Sequence, residues 1–152
     1  MRMLRYVLAA AVGLGALSLA GCAGDPDLAP LESRLAEVDG VNGAMAWPTH
    51  SGAPWNTQVN LMLFVDDSSE EALIAAVRAT APTLVSDPVA GRNEVSISFV
   101  DGDRADYTDR FEASDAEVRF SDAVTQTLGV RDLSGEVLVL SPDDVRRIAD
   151  GS

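Results

Sequence analysis

One cysteine, Cys22, and one histidine, His50, bound the chemistry open to this chain of 152 residues. Zinc needs several Cys or His ligands, so no metal site is expected from these two. Ser51 adjoins His50 and carboxylates are plentiful, which supplies the parts of a Ser-His-Asp set. Adjacent positions rarely align an imidazole with a hydroxyl, however, and no Gly-x-Ser-x-Gly elbow is present. The segment Asp101 to Glu112 places acids at positions 1, 3, 9 and 12 of a calcium loop. Ala105 stands at position 5, and Asp106 occupies position 6, where such a loop turns on glycine. It therefore reads as an acidic hairpin turn. No glycine motif cradles a phosphate, and no cofactor is expected. The strongest candidate is a ligand or partner loop: Trp47 and Trp55 flank Pro48 to Pro54, with His50 between them. Amphipathic indoles beside a stiff loop can grip a sugar, a peptide or a membrane interface; they can equally pack over a sheet edge.

The elements that would position this loop follow from periodicity. Pro30 opens a helix whose Leu31, Leu35 and Val38 share one face, and Gly40 ends it. Val41 to Trp47 is apolar enough for a strand. From Thr57 to Val65 both alternating sets are apolar, the mark of a central strand covered on each side. Ser68 and Glu71 suggest a capping box before a helix striped by Leu73, Val77, Ala81 and Leu84, with Pro82 and Pro88 at its exit. Val95 to Val100 alternates with serines, and Asp101-Gly102 predicts a hairpin returning through Ala105, Tyr107 and Phe111. A short helix from Ser121 to Leu128, a strand Val137 to Leu140 and a last helix opened by Ser141-Pro142 complete the chain. Residues 57–140 thus read as βαββαβ. The fold class is α+β, a ferredoxin-like sandwich of mainly antiparallel sheet with helices on one face. An N-terminal helix-strand and a C-terminal helix are added to it.

The chain holds 24 acids, 11 arginines and no lysine. All the acids and nine of the arginines lie in residues 22–152, a formal charge of −15. Nucleic acid backbones repel such a domain, and so does an anionic lipid surface. Neither a nucleic acid partner nor electrostatic docking is expected.

Arg2 and Arg5 precede an uncharged run of 15 residues from Tyr6 to Ala20, followed by small residues. This is the layout of a secretory signal, and the run is short of the ~20 residues that a membrane span needs. Leu19-Ala20-Gly21-Cys22 at its end resembles the lipobox of bacterial lipoproteins. The resemblance covers residues 1–22. It implies a signal peptide over 1–21, diacylglycerol and acyl chains such as palmitate on Cys22, and a protein anchored in the cell membrane facing outside the cytoplasm. Residues 22–30, with Pro26 and Pro30, read as a tether, and 31–152 as one domain. With no recognisable catalytic set, the expectation is a noncatalytic binding or assembly module. It would work through the membrane anchor and an envelope protein or wall polymer. The alternative is a small envelope enzyme, or enzyme accessory, with an acidic catalytic pair hidden in the linear sequence.

Overall fold

Two parallel strands at the centre of one open sheet organise the molecule. The computed structural model describes residues 24–151; the expected signal peptide and Cys22 lie outside them. The first central strand, β2 (Thr57–Val65), pairs parallel with β3 (Glu94–Asp101), and α2 (Glu70–Ser86) makes the crossover. On one side of β2 is β1 (Gly43–His50), antiparallel. Beyond β3 come β5 (Val137–Leu140) and β4 (Arg131–Leu133), also antiparallel. The sheet order is β1-β2-β3-β5-β4. The remaining helices are α1 (Ala29–Leu35), α3 (Arg110–Ser114), α4 (Asp122–Leu128) and α5 (Pro142–Asp150).

The pleat of β2 and β3 sends alternate residues to opposite faces. Val59, Leu61, Leu63, Val95, Ile97 and Phe99 enter the main core, where α1, α2, α4 and α5 bury Leu35, Leu73, Leu84, Val124 and Val145 against them. Met62, Phe64 and Val100 enter a second cluster with Met45 and with Ala113 of α3. The expectation of a strand apolar on both sides at 57–65 therefore holds. The expectation that all helices share one face does not, because α3 covers part of the other.

The mixed α+β class and the mainly antiparallel sheet stand, but the ferredoxin-like order does not. No strand returns through 105–111: a 3-10 turn spans Arg104–Asp106, and α3 follows. Gly102 has φ +124, and the aspartates after it take backbone amides for themselves. Asp103 accepts from Ala105, and Asp109 accepts from both Phe111 and Glu112. Such side chains offer the backbone an alternative to a ladder, and the hairpin is lost. Without that strand, β2 and β3 become direct parallel neighbours.

Smaller differences have local causes. The cap of α2 is Ser69, which accepts from Ala72, while Ser68 donates to Asp101. That helix runs through Pro82 to Ser86 because Ala81 and Leu84 are buried on its stripe. Leu28 is buried ahead of α1, so the fold takes in the end of the expected tether. Strand β1 continues through Pro48 and Thr49 to His50, which leaves only residues 51–56 as loop. Proline is tolerated there because β1 is an edge. The outward amide of Ala46 donates to Glu32 Oε1 of α1 at 2.6 Å.

Candidate functional site

Strand alternation carries Trp47 away from the helical core, onto the sheet face that α3 only partly covers. There it lines a cleft of about 270 Å³ with Met62, Arg110, Phe111, Ser114 and Glu117. Each wall has a local cause. Asp109 caps α3 and fixes Arg110 and Phe111 in its first turn. A single antiparallel bridge from Val100 to Glu117, followed by the Val118 amide donating to the Phe99 carbonyl at 2.8 Å, lays the next segment along β3. The Arg110 guanidinium carbon sits 4.8 Å from the ring centres of both Trp47 and Phe111, within cation–π range. Phe111 is 70% exposed at the rim.

A smaller hollow of about 80 Å³ adjoins this cleft and shares Trp47 and Glu117 with it. Asn60, Ser96 and Ser98 line the hollow together with Leu61 and Val137, and both serines are buried. Gln58 donates to Ser96 Oγ and to Glu94, and Asn60 donates to Thr49 Oγ1 and the Trp47 carbonyl. The site thus combines three large apolar side chains, one guanidinium, one carboxyl and a row of hydroxyls. At about 270 Å³ it lies below the usual range for small-molecule pockets, roughly 300–1,000 Å³. It matches the size of one or two inserted side chains.

Burial pushes the Glu117 carboxyl above its ordinary range; the Ser98 hydroxyl opposes the rise and the Glu136 carboxylate adds to it. Unfolding returns the group to its ordinary value. The fold is therefore favoured with Glu117 protonated, and that contribution is lost as pH rises through the raised value. Glu117→Gln should leave the protein at least as stable as wild type at neutral pH, with the advantage vanishing at acidic pH. Urea midpoints across that range check this. An equal loss of stability at every pH would instead make the carboxylate a structural acceptor.

The residues expected to form one loop site are separated. Trp47 belongs to the α3 cleft, whereas Trp55 is 85% exposed on the loop after β1. Trp55 lines a different cleft of about 420 Å³ with Gly24, Pro26, His50, Pro54 and Arg92. His50 is tied at both nitrogens: Nε2 lies 2.9 Å from Asp25 Oδ1, and Nδ1 lies 3.5 Å from Thr57 Oγ1. Its neighbour Ser51 accepts from Asn56 through both its carbonyl and its Oγ. The acids of 101–112 are spread over backbone caps rather than converging on a point. Arg110, Phe111 and Glu117 carry no site signal of their own in the sequence, because Phe111 fits the expected returning strand and residues 112–120 show no clear periodicity. The signal available was Asp109, a helix cap set directly before an Arg-Phe pair. Family models, curated proteins and solved structures offer no match to this chain.

Proposed function

We propose that the chain is a lipid-anchored, extracytoplasmic binding module, noncatalytic, whose cleft of Trp47, Arg110, Phe111 and Glu117 receives an apolar side chain from an envelope protein. The observation that carries this is Phe111: a phenylalanine 70% exposed, held by a capped helix turn at the mouth of an apolar cleft. Aromatic and arginine side chains are the usual anchors of interfaces, and arginine stacked on aromatic rings is already ordered before a partner arrives. The lipobox resemblance supplies the anchoring, with Cys22 as the acceptor. An enzymatic reading would pair Glu117 with Glu136. Arg119 Nη1 lies 2.8 Å from Glu136 Oε1, so that second carboxylate is held in an ion pair.

The test is crosslinking capture from the native membrane with the full chain. Phe111→Ala should weaken partner capture by about thirtyfold, the equivalent of about 2 kcal/mol at an anchor position. Its thermal midpoint should stay unchanged, because an exposed ring contributes little to the core. Undiminished capture by a folded Phe111→Ala protein would remove the cleft from the interface.

A further inference from the structure

We infer that the Trp55 loop is a second membrane contact, seated among phospholipid headgroups beside the lipid on Cys22, so that the domain stands on the bilayer at one fixed pole. The inference rests on the anchoring reading above and adds an orientation to it. Three observations carry it.

The first is where the chain enters the fold. Gly24 and Pro26 line the same cleft as His50, Pro54 and Trp55, and Asp25 contacts His50. Cys22 precedes Gly24 by two residues. An extended chain spans at most about 3.6 Å per residue, which keeps the two Cα atoms within about 7 Å. A lipid on the Cys22 sulfur therefore brings the bilayer to the pole where β1 ends and β2 begins.

The second is the loop itself. Residues 51–56 carry no charge, and Asn56 closes them onto Ser51 with two hydrogen bonds of 2.9 Å. Trp55 is the most exposed large apolar side chain among the described residues, at 85%. Tryptophan is favoured at the membrane–water interface, where the ring sits at headgroup level.

The third is charge. The cleft beside Trp55 has His50 and Arg92 on its walls, and the one carboxylate bonded to these, Asp25, lies against His50. At the same pole Asp87 pairs with Arg34, and Glu94 pairs with Arg131. The opposite pole, where β2 and β3 end, presents residues 66–71 and 101–109, with eight carboxylates against one arginine. The nine residues of β2 separate the poles by roughly 30 Å. The Debye length at physiological salt is only about 8 Å. The acidic pole is thus screened from an anionic surface that touches the other end, and the overall charge of −15 does not forbid the contact.

The experiment uses the full protein purified from membranes, its acylation read by mass spectrometry. It is reconstituted into vesicles of phosphatidylcholine and phosphatidylglycerol, plain or brominated on the acyl chains. Bromine quenches only indoles that reach the lipid. Tryptophan emission should fall in brominated vesicles, and Trp55→Phe should abolish that loss, leaving the unquenched emission of Trp47. Acylated protein that floats with the vesicles but shows no quenching would overturn the orientation while leaving the anchor intact. So would quenching that persists in Trp55→Phe. Protein without acyl chains would overturn the anchoring reading, and the orientation with it.

Discussion

Phe99→Ala should cost about 3–5 kcal/mol of unfolding free energy, read as a lowered urea midpoint with an unchanged slope. Phe99 is fully buried at the middle of β3, opposite Leu63 on β2 and edge-on to Phe120 with ring centres 6.4 Å apart. It is one of two phenylalanines among the largest fully buried side chains. Its truncation opens a cavity between the sheet and the helical layer that neither can close, because β2, β3 and α2 hold one another in register. Small domains have about 5–15 kcal/mol in all, so this one ring accounts for a large share. A loss below about 1 kcal/mol would mean that Phe120 or the helices fill the space, and that the core is softer than its packing implies.

The second large effect is expected at Asp87, where a single carboxylate does three jobs. It is buried and accepts from the amides of Val89 and Ala90 at 2.9 Å each, while the Arg34 guanidinium of α1 bonds its other oxygen. Asp87→Ala leaves the buried Ala90 amide without its acceptor and strips Arg34 of its counter-charge. Breaking a buried pair from one side commonly costs about 3–5 kcal/mol. Arg34 keeps its contacts to Ser86 and to the Pro30 carbonyl, and it is partly exposed, which places the loss toward the lower end. Asp87→Asn retains a carbonyl for the turn and loses only the charge, so its cost should be smaller. A double-mutant cycle with Arg34→Ala separates the two parts. Equal costs for Asp87→Ala and Asp87→Asn would mean that the ion pair, and not the turn, dominates.

Where sequence reading succeeded, one interaction dominated the local choice. Thr57 to Val65 is apolar on both alternating sets, and a buried strand is the only regular element that satisfies that pattern at this length. Ser141, Pro142 and Asp144 specify the start of α5, and the capping box they form is observed. Gly129 closes α4 in the left-handed conformation, as its place after Leu128 suggested. Failure came where two local signals competed. Asp101-Gly102 is a hairpin signal, but Asp103 holds the backbone amide two residues onward and Asp109 those two and three residues onward, and those short-range bonds prevailed. The strand β4 was missed although Ser134 and Gly135 both adopt positive φ in the turn that follows it. A three-residue strand has too little alternation to announce itself. The α3 cleft was hidden for a different reason. It joins Trp47 to Glu117 across 70 positions, and only the sheet order makes them neighbours. The two tryptophans, eight positions apart, looked like partners but were sent to separate surfaces by the pleat of β1 and the loop beyond it.

Protection of the β1 edge bears on how densely such a molecule can be stored. Tethering confines a protein to a plane, where collisions between copies are frequent and a bare strand would template fibril-like polymerisation. Here Glu32 occupies the Ala46 amide, and Pro48 has no amide to offer. An incoming strand would therefore meet two interruptions within three residues, too few free positions to start a ladder. At the other margin, β4 is only three residues long. Both margins are thus poor seeds, so under the anchoring proposed above copies would crowd side by side in two dimensions without zipping into filaments.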